Sequence, residues 1–506
     1  MMDCNLSSRF RAVFWCVLPE KAKCLGLRRL KAISGSVVLF FLPVACLVAG
    51  AGSPLEVKAQ EGGIRTTTAQ DFKIQQALHR LLAGRAAAQL GVAVYNLDKG
   101  EKVFSFNEKQ ALQPASVLKI LTSVAALKEL GAEYTFKTKV YAQSLQGGFA
   151  DVLWIKGGGD PSLCIETAWA MVRRLKKMGL KEIGKLGLDG SLFAEQNPGQ
   201  GQRAYQTGSA ALAFNYNSLA FDICPAVPGR SALVSPDPWE FKVDIQGSIV
   251  TEGGRGRRPN INRKVNVGRP AFVLSGAVQS SDPCITIYRG IEQPEIMFGE
   301  TFLQFLKYIG IPVKGALVSG VVPPGATLLF EQASQPLSRT IQDLNHFSNN
   351  FIAEQILFAL GESADGRWRR SEGLKRLARF LTSLGVPAGE FELHDGSGLS
   401  RANRISAQAL VRVLEYAAHD PLLGAEFESS LSLAGRSGTL KKRDFGLSEE
   451  VLRGKTGTLD KVSSLAGYLV TADHSNFAFS ILQNEVVSRE QALAFEDSIV
   501  AALIGR

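Results

Sequence analysis

Three short stretches of this chain hold residue types whose spacing could do hydrolytic chemistry. The first is Ser116-Val-Leu-Lys119. At the start of a helix, residues three apart share a face, so the hydroxyl and the amine can meet. The helix N-terminus also aims free N–H groups and its positive dipole end at that hydroxyl. A lysine takes up a proton only when neutral, and burial or a nearby positive charge lowers its pKa toward that state. Such a lysine would make the serine a nucleophile. Taken alone, an ordinary capped helix is the better explanation of these four residues. The second stretch is Ser348-Asn349-Asn350. Ser348 offers a hydroxyl to relay a proton, and the Asn350 amide both donates and accepts. The plainer alternative is a helix cap ahead of Phe351-Ile-Ala-Glu354. The third is Lys455-Thr456-Gly457-Thr458, where a cation and two hydroxyls form a cradle for a carboxylate and Gly457 admits a ligand close to the backbone. Gly454-Lys455-Thr456 also matches the tail of a phosphate-binding loop. That loop needs glycine five residues before Gly454, where Glu449 stands, so the nucleotide reading fails.

The elements that must carry these residues can be read around them. A helical pattern runs from Gln70 to Ala87. Strand-like Leu90–Asn96, a turn at Asp98–Gly100 and a second strand near Lys102–Phe106 make a hairpin of an antiparallel sheet. Gln113-Pro-Ala115 opens an apolar helix that reaches Leu130 and stops at Gly131. Residues 141–334 change texture, with many glycines, short strand-like runs and turn pairs. Helical patterns return at Ile341–Leu360, Gly373–Leu384 and Ser406–Ala418. Strands at Ser464–Val470 and Asn476–Gln483 and a helix at Arg489–Leu503 close the chain. The expected fold is α+β: an antiparallel sheet with helices, built from residues 64–140 and 335–506. A largely β insertion of about two small domains, 141–334, splits it.

The chain has 506 residues, 45% hydrophobic and 21% charged, which is ordinary globular composition and argues against disorder. Arg9, Arg11, Lys21, Lys23, Arg28, Arg29 and Lys31 face only Asp3 and Glu20, and an apolar run from Val37 to Ala51 follows, closed by small residues. Positive, then apolar, then small is the order of an export signal, so residues 1–59 read as a leader, with an uncleaved membrane anchor as the alternative. The expected location is the periplasm or the outer face of the cytoplasmic membrane. Those basic residues carry half of the net charge of +10, and the mild excess left over calls for no nucleic acid. Cys164, Cys224 and Cys284 lie beyond the leader and permit at most one disulfide; free buried thiols are the simpler expectation. No histidine stands at metal spacing from another ligand, and no metal or cofactor is indicated. The basic run Arg255, Arg257, Arg258, Arg263, Lys264 and Arg269 reads as a solvated hairpin.

S-x-x-K, S-x-N and K-T-G in this order form the triplet of penicillin-recognising serine enzymes. Pro114-Ala-Ser116, the long gap before Ser348, Asp395-Gly-Ser-Gly-Leu-Ser-Arg401, Gly435-Arg-Ser-Gly-Thr-Leu440 and Leu465-Ala-Gly-Tyr468 go further. With them the chain resembles the class C, type-4 penicillin-binding proteins over most of residues 64–495. That resemblance implies a D-Ala-D-Ala carboxypeptidase and D-Ala–diaminopimelate endopeptidase acting on peptidoglycan stem peptides and acylated by β-lactam antibiotics.

In that reading Ser116 attacks, Lys119 takes its proton, and Ser348 beside Lys455 protonates the leaving amine. Asn350 holds the substrate amide and Lys119. Lys455, Thr456, Gly457 and Thr458 receive the terminal carboxylate, and the N–H groups of Ser116 and Thr458 form an oxyanion hole. Arg401 either meets a stem carboxylate or makes a surface ion pair. A β-lactamase of the same fold is one alternative. No glutamate from Glu354 to Glu450 has asparagine four residues on, where the commonest such enzymes place it. An idle wall-binding scaffold is the other.

Overall fold

The computed structural model describes residues 69–83, 89–195, 197–254, 258–264 and 269–505. The leader at 1–59 lies outside the described residues, as do Arg255 and Arg257 of the basic run. Among the described residues no helix is long and apolar enough to cross a membrane.

One sheet organises the molecule. Six antiparallel strands lie in the order Ser432–Leu433, Val451–Leu459, Val462–Val470, Asn476–Asn484, Leu90–Asn96 and Glu101–Phe106. The hairpin expected near residue 100 therefore sits at one edge and pairs with the last strand, Val92 opposite Ile481. Side chains alternate between faces along a strand, and here the alternation also sorts them by size. Phe477, Phe479 and Ile481 pack with the helices Ala69–Leu82 and Arg489–Leu503. Ala93, Ala466 and Ala478 turn the other way, and their small side chains let the Ala407–His419 helix lie close, with the Lys119–Leu130 helix packed behind it. That helix is buried continuously from Lys119 to Leu127, which explains its apolar character all round. Asn350–Leu360 and Ala407–His419 pack against it.

The insertion leaves and returns side by side. Lys137–Gln143 and Thr327–Ala333 are antiparallel neighbours at one edge of a five-stranded mixed sheet. The insertion is largely β, with the helices Ile165–Lys177 and Pro294–Tyr308 packed beside this sheet; the first buries Ala168, Met171, Val172 and Leu175 at helical spacing. Three smaller sheets follow between Ser218 and Gly290.

Two expectations change. Cys224 and Cys284 are not free thiols but a disulfide. Strand pairing places Ile285 opposite Ile223, so Cys224, the last residue of its strand, lies level with Cys284, just ahead of its own. Cys164 is a free thiol. The helical region Ile341–Leu360 is two helices, Leu337–Phe347 and Asn350–Leu360, because Ser348 adopts left-handed φ of 54° and caps the first. Within the basic run, Arg263 pairs with Glu292 at 2.8 Å and donates to the Gly290 carbonyl, holding strands of the insertion together.

Candidate active site

Ser116 lies in a single 3-10 turn, Ala115–Leu118, that leads directly into the Lys119–Leu130 helix. Three residues per turn make positions i and i+3 eclipse, and Lys119 Nζ stands 3.0 Å from Ser116 Oγ. The turn starts from strained backbone, with φ of 50° at Ala115, a conformation worth about 1–3 kcal/mol for a non-glycine residue. The sheet compensates by gripping the residues before it. Ser464 Oγ donates to the Pro114 carbonyl at 2.6 Å, and the Asn484 amide pairs with both backbone groups of Gln113 at 2.9 and 3.0 Å. Gly398 and Gly457 then close in from either side. A Cβ at Gly398 would lie 1.8 Å from the Ala115 carbonyl oxygen, and one at Gly457 would lie 3.0 Å from the Ser116 nitrogen.

Lys119 is wholly buried and has two further oxygen partners, Asn350 Oδ1 at 2.7 Å and the Ser397 carbonyl. Both oxygens can only accept. A neutral amine has two hydrogens and one lone pair, so these two oxygens take its hydrogens and the lone pair is left for the Ser116 hydroxyl. Burial drives the lysine the same way, pulling its pKa from 10.5 to about 7 against the opposing charges of Asp395 and Glu354. The Asn350 amide is oriented from the insertion: its Nδ2 donates to the Tyr205 carbonyl at 3.0 Å, which turns Oδ1 toward Lys119.

The break between helices frees the second motif. Asn349, not Ser348, caps the Asn350–Leu360 helix, accepting from Ile352 N at 3.2 Å. The capping alternative thus applies to the middle residue alone, and Ser348 Oγ instead meets Lys455 Nζ at 2.8 Å. Lys455 sits on the strand Val451–Leu459, fully buried, and also donates to the Thr456 carbonyl. Its pKa is held well below the usual lysine range, first by burial and then by the charge of Lys119.

Ser116, Ser348, Asn350 and Thr458 open onto a cavity of about 790 Å³, which Gln200 and Tyr205 of the insertion also line. Arg401 stands at its mouth and also makes the ion pair, 3.6 Å from Asp460 Oδ2. Thr456 Oγ1 meets Thr439 Oγ1 at 2.8 Å, so Gly435–Leu440 supplies a further hydroxyl without an assigned role in the sequence reading. Ser397 lies in the Asp395–Arg401 motif, but it acts through a backbone carbonyl that residue type does not mark, and Gln200 sits in no motif. His346, close to Ser348 in sequence, turns away and meets the Leu431 carbonyl. Gly157–Ser162 is a packing device: Gln355, on the helix that carries Asn350, donates to the carbonyls of Gly159 and Ala210.

Comparison with known proteins gives the family and the fold. The D-Ala-D-Ala carboxypeptidase 3 (S13) family matches residues 74–504. A D-alanyl-D-alanine carboxypeptidase of Actinomadura sp. (strain R39) is 31% identical over 504 residues, covering 94% of this chain and 90% of its own. D-alanyl-D-alanine carboxypeptidase DacB of Haemophilus influenzae is 25% identical over 78% of this chain and 84% of its own. The crystal structure of penicillin binding protein 4 (dacB) from H. influenzae shares the fold, with a TM-score of 0.73 at 23% identity, over 85% of this chain and 99% of that one.

Proposed function

The chain belongs to the D-Ala-D-Ala carboxypeptidase 3 (S13) family, and from that premise we propose that it is a serine-type D-Ala-D-Ala carboxypeptidase and D-Ala–diaminopimelate endopeptidase of peptidoglycan stem peptides, acting through an acyl-Ser116 intermediate. We read residues 64–140 and 335–506 as its catalytic domain and 141–334 as the insertion. The observation that carries the proposal is Lys119, with two acceptors for its hydrogens and its lone pair left for Ser116.

Ser116 Oγ attacks the carbonyl of the penultimate D-Ala while its proton passes to Lys119, forming the C–O bond. The N–H groups of Ser116 and Thr458 receive the oxyanion, a stabilisation of roughly 3–4 kcal/mol for each such donor. The C–N bond then breaks. Its nitrogen takes a proton through Ser348, which is hydrogen-bonded to Lys455, and leaves as D-Ala or as the crosslinking amine of diaminopimelate. Asn350 holds the substrate amide, and Lys455, Thr456 and Thr458 receive the terminal carboxylate, with Arg401 at the cavity mouth for a second carboxylate of the stem. Water hydrolyses the ester and returns the serine. Penicillin presents the same carbonyl and carboxylate but keeps its leaving amine tethered, so the acyl-enzyme persists. Work in the cell wall places the enzyme outside the cytoplasm, free or membrane-associated.

The test is intact-mass measurement after incubation with penicillin, followed by peptide mapping and by assay of D-Ala release from a stem pentapeptide. A gain of one penicillin on the peptide containing Ser116, with D-Ala release, is expected. Rapid loss of penicillin without an adduct would indicate a β-lactamase. A folded protein that does neither would be a scaffold.

The acylation rate should also depend on pH in a definite direction. Lys119 is a base only after losing its extra proton, and that proton leaves at about 7. Below this value the neutral fraction, and the rate of penicillin acylation, should fall roughly tenfold per pH unit. A lysine at its ordinary pKa would instead give a rate still rising well above neutrality.

A further inference from the structure

One acceptor of Lys119 is a side chain, Asn350 Oδ1; the other is the backbone carbonyl of Ser397, in a loop far away in sequence. Glu354 has no part in the chemistry above, yet it is buried one turn beyond Asn350 on the same helix. Its Oε1 accepts from the N–H groups of Gly396 at 2.9 Å and Ser397 at 3.1 Å, and its Oε2 meets Arg370 Nε at 3.1 Å. The Gly396 carbonyl is caught in turn by Thr122 Oγ1 at 2.6 Å, from the helix that begins with Lys119. Asp395 organises the rest of the loop, accepting from the N–H groups of Ser397, Gly398 and Ser400.

We propose that Glu354 is a positioning residue for the serine–lysine pair. It clamps the Gly396–Ser397 peptide to the Asn350–Leu360 helix, so that one helix sets both oxygens that receive the hydrogens of Lys119. Its negative charge also opposes departure of that lysine's extra proton. A displaced Ser397 carbonyl would let the amine rotate and carry its lone pair off the Ser116 hydroxyl.

Charged groups face this cluster from every packed element. Arg370 comes from the Arg370–Ser383 helix, Asp395 from the loop, Lys119 from the serine helix and Lys455 from the strand. Burial and then Asp395 push the Glu354 carboxyl above its ordinary range, against Arg370, which favours the ionised form. Lys455 acts against the carboxylates at Lys119, adding positive charge. His394 gives its carbonyl to Arg370, and its ring lies outside the cluster against Glu392, 2.7 Å away.

The inference rests on the acyl-Ser116 reading, and the experiment keeps the two apart. Acylation of the wild-type enzyme by penicillin, localised to Ser116, establishes that reading first. The acylation rate is then measured across pH for Glu354→Gln and Glu354→Asp. Glutamine keeps the reach and an accepting oxygen but loses the charge, so the acid limb should move about one unit to lower pH. Aspartate keeps the charge but is one methylene short. Its limb should stay, while its plateau falls roughly 10–100-fold, as expected for a misplaced catalytic group. Wild-type limb and plateau in both variants would overturn the proposal. So would a loss of equal size at every pH in both, which would mark Glu354 as a structural residue only.

Discussion

Ser116→Ala is expected to lower D-Ala release by about 10⁴–10⁶-fold and to abolish the penicillin adduct. The size follows from what is removed. Ser348 also has an amine beside it, Lys455 at 2.8 Å, but in the proposed reaction that pair hands a proton to the leaving group and forms no acyl bond. The rest of the site should survive the change. Ala115 keeps its strained φ because Pro114 and Gln113 are held by Ser464 and Asn484, whose bonds do not involve the serine side chain. The variant should therefore still bind stem peptide, and its affinity is read by calorimetry or by competition. An alanine variant that retains the adduct would move the nucleophile elsewhere.

Lys119→Met should cost acylation about 10²–10⁴-fold, the usual reach of a general base. Methionine fills the same buried space without a proton acceptor, leaving Asn350 Oδ1 and the Ser397 carbonyl without their partner. The informative readout is the shape of the pH profile. With Lys119 gone, the acid limb near 7 should vanish from the residual rate, because the group whose proton loss produces it has been removed. A residual rate that keeps the limb would assign it to another group, with Lys455 the nearest candidate. The two variants thus separate nucleophile from base.

Much of this could be read before any coordinates, for local reasons. Leu90–Asn96 is a short apolar run, Lys102–Phe106 carries Val103, Phe104 and Phe106, a turn joins them, and their strands fall where those runs lie. Ser116 and Lys119 meet because a spacing of three is itself a contact in a tight helical turn. What stayed hidden depends on tertiary placement. A cap ahead of Phe351 was legible, but no glycine marks Ser348 as the left-handed residue that ends the preceding helix, so the break itself could not be placed. The Cys224–Cys284 bond needs the register of strands that lie 60 residues apart. The helix Ile165–Lys177 does carry legible helical spacing, but glycine-rich surroundings masked it. Glu354 and Ser397 are separated by 43 residues, and only the packed structure shows a carboxylate holding a backbone amide.

The grip on the serine turn has a consequence for when the enzyme becomes active. Gln113 and Pro114 are fastened by Asn484 and Ser464, on strands that come much later in the chain, and Lys455 comes from the strand just before them. The ribosome releases the chain N-terminus first. Ser116, the proposed nucleophile, is therefore made early, but its turn has nothing to hold it until these later strands arrive. Closing so long a loop carries an entropic penalty that grows with its length. The insertion reduces that penalty, because its first and last strands are antiparallel neighbours and a folded insertion returns the chain beside its point of departure. Bond-cutting competence is thus a property of the completed chain, and a truncated translation product carries the serine without the framework that arms it.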